Sequence, residues 1–174
     1  TSTNINWTFS FDRFGTSGAY HMIQQRIEEI FKTIEETSLN CDRDISEINL
    51  VGVTKAKPLE MIREAFESGL KNFGESYVDD FSDKESHYHP SGLNYHFIGR
   101  LPTRKARKVV GKVKLIHSVS SIKLAKKIDF VAFEEAVCQD ILIQVNQGGE
   151  LSKSGIDSDC LNDIVSEVIE LSNI

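Results

Sequence analysis

The chain has 174 residues, 40% hydrophobic and 26% charged, the composition of one globular domain large enough to bury a core. Its 26 acidic residues outnumber 20 basic ones, and a net charge of −6 disfavours a general nucleic-acid binder, which needs surplus cations against phosphate. No apolar run approaches the roughly 18 residues of a membrane span. The three cysteines, Cys41, Cys138 and Cys160, lie far apart without a C-x-x-C pair, which fits a reduced cytoplasmic protein better than a disulfide framework or a zinc site.

In chain order, residues 1–18 show no consistent period and read as a loose extension, leaving 19–174 as the domain. From Ala19 the pattern is helical, with Ile23, Ile27, Ile30, Phe31 and Ile34 at spacings of three and four. Asn40 to Ser46 is polar and turn-like, and Ile48 to Thr54 is the first strand. Pro58 suits the opening turn of a helix whose buried face is Leu59, Ile62 and Phe66 and whose stop is Gly69. Short apolar runs recur around Phe73, Phe97, Ile116 and Ile143, separated by helical or turn-rich stretches at 76–84, 103–110 and 120–136. Asp157 is a good N-cap for a last helix carrying Leu161, Ile164, Val165, Val168 and Ile169. Five strands, each followed by a helix, predict an α/β fold with a parallel sheet, its short β-branched strands covered on both faces.

In such folds chemistry gathers at the C-terminal ends of the strands. Here the first strand delivers Lys55 to that rim, with Lys57 two residues on. Composition alone favours a solvated loop lysine, since lysines are mostly exposed. An amine held among apolar walls can instead lose its proton and attack an aldehyde. The other strand ends also carry polar groups: Asn72-Phe73-Gly74-Glu75-Ser76-Tyr77, His96-Phe97-Ile98-Gly99-Arg100, Ile116-His117-Ser118-Val119 and Gln144-Val145-Asn146. Each has a plain explanation as a core histidine or a turn glycine; their recurrence at one rim points to a site.

Together with Val51-Gly52-Val53-Thr54-Lys55-Ala56-Lys57-Pro58 and Ser152-Lys153-Ser154-Gly155, these stretches resemble the YggS/PROSC family. Those are the pyridoxal phosphate homeostasis proteins, related to the barrel domain of alanine racemase. The resemblance implies a (β/α)8 TIM-barrel type of fold that binds pyridoxal 5'-phosphate, with about five of the eight strand-helix units present. It implies a Schiff base on Lys55, with Lys57 and Lys153 near the cofactor or its exchange path. Ser76 stands where the family's Gly-Glu-Asn motif has asparagine, and Arg100 and Pro102 depart from a His-Leu-Gln stretch. The expected cofactor-binding residues are Lys55, Lys57, Ser76, His96, Asn146 and Lys153, with no catalytic set and no metal ligands. The family's glycine-rich "SMGMS" and "RIG" stretches do not occur, so a C-terminally incomplete chain is expected.

The function implied is intracellular homeostasis of the cofactor: holding it on Lys55 and passing it to apoenzymes that use it, with neither nucleic acid nor membrane as partner. An amino-acid racemase using the same lysine, or a truncated relative that no longer binds cofactor, are the alternatives. A basic cluster from Arg100 to Lys114 and the His87-Tyr88-His89 triplet read as a solvated face and a loop.

Overall fold

The computed structural model describes residues 20–148 and 154–174. The extension at 1–18 and Lys153 lie outside the described residues. Helix α1 (Tyr20–Asn40) lays Ile23, Ile27 and Phe31, one per turn, on the core, while Ile30 on its flank stays exposed. Strand β1 (Val51–Val53) is shorter than the apolar run that predicts it. Ile48 is used instead to close a 3₁₀ turn (Ile45–Glu47), which Asp44 caps by accepting the Ser46 N–H.

Pro58 is the N-cap of helix α2 (Leu59–Glu67), which buries Ile62 and Ala65. Gly69 ends it at φ +97. The Gly69 N–H reaches the Phe66 carbonyl and the Leu70 N–H reaches the Ala65 carbonyl, the paired bonds of a Schellman stop. The remaining elements are β2 (Asn72–Glu75), α3 (Val78–His87), β3 (Asn94–Phe97), β4 (Leu115–Val119), α4 (Ile122–Glu134), β5 (Asp140–Ile143), β6 (Val145–Asn146), β7 (Ile156–Asp157) and α5 (Leu161–Val168). The stretch after Pro102 is a 3₁₀ helix, Thr103–Lys108, and Asp157 caps a 3₁₀ turn before α5 rather than α5 itself. On α5 the expected stripe is only partly used, since Val165 and Ile169 remain exposed.

The five strands β1 to β5 form one parallel sheet in sequential order, and β6 and β7 make a separate parallel pair. When each strand is laid beside its predecessor, crossovers of one hand stack all the helices on one face. The contacts agree: α1 packs on α2, the 3₁₀ helix touches α3 and α4, and α4 touches α5. Under this layer lie Phe73, Tyr95, Phe97 and Ile116, with the Phe81 ring edge-on to Tyr95 at 5.5 Å and to Phe97 at 6.4 Å. Alternation along the strands turns Val53 and Leu142 to the other face, where they are 53% and 49% exposed. Coverage on both faces is therefore a wrong expectation, because a sequential parallel sheet recruits its helices to one side. The fold is α/β with a parallel sheet, β1 and β5 are its outer strands, and it does not close into a barrel.

Candidate functional site

Lys55 sits in a tight turn immediately after β1. The Lys57 N–H donates to the Thr54 carbonyl at 3.0 Å, closing the turn around Lys55 and Ala56. Ala56 lies at φ +56, the left-handed region that glycine tolerates better than alanine. Its N–H is held by Asp80 Oδ2 at 3.1 Å. Lys55 and Lys57 are both exposed, and neither ammonium has a partner among the described residues. Continuing the alternation of Val51 and Val53 carries Lys55 to the uncovered face of the sheet.

Behind this turn is a buried polar cluster. Glu75 ends β2 on the helix-covered face and is fully buried. Its Oε1 accepts from the Thr54 hydroxyl at 2.7 Å and from Lys84 Nζ at 2.8 Å. Lys84, from α3 and 4% exposed, also donates to the Thr54 carbonyl at 2.8 Å and to Asp80 at 2.9 Å. Glu75 Oε2 is buried without a hydrogen-bond partner among the described residues. Burial raises the Glu75 pKa above the ordinary carboxylate value, although Lys84 and Thr54 oppose the rise. For Asp80 burial also works against ionisation, but the Lys84 ammonium and the Ala56 N–H outweigh it and the pKa falls. Neither Lys84 nor Asp80 is among the expected site residues. Their spacing of four on a helix is the only sequence signal, and it says nothing of a strand carboxylate.

A second polar line crosses the uncovered face. Asn72 directs its amide nitrogen to the Leu50 carbonyl at 3.4 Å, which leaves its oxygen to accept from Asn94 at 3.1 Å and from His96 Nε2 at 3.2 Å. The proton of neutral His96 is therefore on Nε2, and Nδ1 accepts from His117 Nε2 at 2.9 Å. Burial, with help from His117 and the Lys114 ammonium, pushes the His96 pKa down to about 4. Burial lowers that of His117 too. The sign follows directly. The unfolded imidazole, near 6.5, takes up its proton before the folded one does, so the stability from neutral His96 is complete above 6.5 and lost as pH falls towards 4. The loss is expected to be about 3 kcal/mol. Urea midpoints measured between these pH values should fall steeply for the wild-type chain, and His96→Gln should flatten that slope.

Ser76 is half-buried at the end of β2, and its backbone passes so close to Gly99 that a Cβ at residue 99 would stand 2.1 Å from the Ser76 carbonyl oxygen. Only glycine allows the two strand ends to meet there. Asn146 lines a cavity of about 430 Å³ with Ile98, Arg100, Gln144, Val145, Gln147, Gly148 and Ser154. Gly155, at φ +145, lets the chain return against the Asn146 backbone and bring Ser154 to that wall. The site residues thus fall into three places: Lys55 and Lys57 in one turn, His96 on the uncovered face, and Ser76 and Asn146 at other strand ends.

The basic cluster is largely neutralised. Lys105 and Lys108 pair with Asp79, holding its carboxyl down to about 2, and Arg107 and Lys112 pair with Glu134 and Glu85. His87 and His89 face Asp83 and Glu85, and no group of metal-ligating side chains occurs among the described residues. The three cysteines are exposed and unbridged, and no described helix is long and apolar enough to cross a membrane.

No protein-family model matches the chain. The pyridoxal phosphate homeostasis protein of Aquifex aeolicus is 37% identical over 150 residues, covering 86% of this chain and 66% of that protein. The chain belongs to the pyridoxal phosphate homeostasis protein family. It spans 63–66%, just under two thirds, of the length of its curated relatives. The structure of PipY of Synechococcus elongatus, solved with PLP bound, superposes with a TM-score of 0.71 at 30% identity, covering 87% of this chain and 66% of that one. The alanine racemase of Bartonella henselae shares the fold of this chain at a TM-score of 0.63 and 12% identity, covering 89% of this chain and 41% of that one.

Proposed function

We propose that this chain is a pyridoxal 5'-phosphate carrier that acts in cytoplasmic cofactor homeostasis, with Lys55 as the point of attachment. The observation that carries the reading is an exposed lysine amine without a partner among the described residues, presented at the C-terminal end of β1 on a turn clamped from behind, in a member of this family. When bound, pyridoxal phosphate supplies an aldehyde that reacts reversibly with a primary amine. The residues present fit that end of the cofactor: among the described residues no carboxylate pairs with the amine, and its backbone neighbours, Thr54 and Ala56, are both fixed.

Lys57, two residues on in the same turn, keeps a second cation near the attachment point, Ser76 and Asn146 supply hydrogen-bonding groups at the strand ends, and His96, its two ring nitrogens held by Asn72 and His117, shapes the uncovered face. Neutral His96, relayed to His117, adds no charge to that face. Lys153 belongs with this set by its motif. The parallel sheet, with its helices on one side, is read as part of a (β/α)8 barrel whose inner face is the uncovered one. Apoenzymes that use the cofactor are the proposed recipients.

Carriage is preferred to racemisation because relatives at 30% identity and above bear the homeostasis name, whereas the likeness to alanine racemases is one of fold alone. Equilibrium dialysis against pyridoxal phosphate tests the reading. Saturable retention is expected, together with no exchange of the α-hydrogen of L-alanine in deuterated water. Absence of retention would favour a relative that no longer binds cofactor, and cofactor-dependent exchange would favour a racemase.

A further inference from the structure

We propose that Lys84 is a positioning residue for Lys55: its buried ammonium ties together the residue before Lys55, the end of β2 and the carboxylate that holds the residue after it. The proposal rests on the assignment of Lys55 as the attachment point and asks what keeps that amine in one place.

An ammonium has three protons to donate, and those of Lys84 go to three different pieces of chain. One goes to the Thr54 carbonyl at 2.8 Å, one to Glu75 Oε1 at 2.8 Å and one to Asp80 Oδ2 at 2.9 Å. Asp80 Oδ2 in turn receives the Ala56 N–H. Thr54 and Ala56 flank Lys55, so one buried charge governs the backbone on both sides of it. Thr54 is held twice, by its carbonyl to Lys84 and by its hydroxyl to Glu75. The left-handed conformation of Ala56 is one an alanine rarely keeps unless its surroundings impose it. Here the surroundings that impose it are Asp80 and, through it, Lys84.

A purely stabilising role would not require this arrangement. Burying charges is costly, and apolar residues of similar volume often serve a core equally well. What the cluster adds is direction: it fixes the turn so that Lys55, exposed and flexible along its own side chain, leaves the sheet from one defined backbone position. Lys57, farther from the clamp, has only its own N–H bonded to Thr54. The two lysines should therefore differ in reactivity towards an aldehyde bound at the rim, and the difference should depend on Lys84.

The test is borohydride trapping of the chain with pyridoxal phosphate, followed by proteolysis and mass spectrometry to measure the adduct at Lys55 relative to Lys57. The wild-type chain should carry the adduct on Lys55 in more than tenfold excess. Lys84→Met keeps the aliphatic stem, and Glu75 can remain buried by taking up a proton. In that variant, with its fold checked by circular dichroism, the Lys55 to Lys57 ratio should fall about tenfold. A folded Lys84→Met chain that keeps the wild-type ratio overturns the proposal. If Lys84→Met does not fold, Asp80→Asn decides: its side chain is 32% exposed, and the change weakens the clasp without removing the ammonium. A lowered ratio supports the proposal and an unchanged one overturns it. A wild-type chain without excess at Lys55 overturns its assignment as the attachment point, and this proposal with it.

Discussion

Lys55→Ala is expected to remove most of the visible band and of the borohydride-stable adduct that the chain forms with pyridoxal phosphate, while leaving its fold intact. The side chain is exposed and has no partner among the described residues, so its removal should change stability by less than about 0.5 kcal/mol. The backbone of the turn does not depend on it, because Thr54 and Ala56 are held by Lys84 and Asp80. Covalent chemistry, by contrast, depends on the amine: Lys57, the other primary amine of the turn, should carry less than about a tenth of the adduct. Lys57→Ala should lower cofactor retention only modestly, since that residue contributes charge and little of the bond. Absorbance titration of the three chains provides the measurement. Equal bands in wild type and Lys55→Ala would show that the attachment point is elsewhere.

Glu75→Ala is expected to destabilise the fold strongly, by roughly 3 kcal/mol. The carboxylate is fully buried and accepts both from Thr54 and from an ammonium that is itself only 4% exposed. Deleting it leaves the Thr54 hydroxyl without its acceptor and removes one of three partners from Lys84. Asp80 and the Thr54 carbonyl remain, which keeps the cost at the lower end of what breaking a buried pair brings. A domain has only about 5–15 kcal/mol in hand, so the variant should show a clearly lower urea midpoint and a larger unfolded fraction. Adding Lys84→Met should recover part of the loss, because the stranded charge is then gone. A midpoint that drops further in the double variant would mean that the two residues do not act as a pair.

Much of the frame is legible in the residues. The apolar runs around Val51, Phe73, Phe97, Ile116 and Ile143 are all strands of the sheet. Pro58 and Gly69 bracket α2, and Ser121 caps an α4 whose Leu124, Ala125, Ile128, Val131 and Ala132 make one buried stripe. These features are local: a helix stop, a cap and a period each depend on residues within a few positions of one another. Where local signals are weak the reading slips by a turn, as at Thr103–Lys108 and before α5, because a 3₁₀ turn and the start of an α-helix share the same residue preferences.

By itself, then, the sequence determined the alternation of strand and helix, the delivery of Lys55 to a strand end, and the motifs of the family. The tertiary structure alone decided which face of the sheet lies open, that Asn72, Asn94, His96 and His117 join across it, and that Lys84 stands behind Lys55. The reason is distance along the chain. The Thr54 to Glu75 bond joins residues 21 apart, and the Lys84 to Thr54 bond residues 30 apart. Both exist only because β1 and β2 pair in one register, Val53 beside Gly74, and α3 folds back over them. No period or motif in either segment encodes that register, so the lysine was visible in the sequence and the clamp behind it was not.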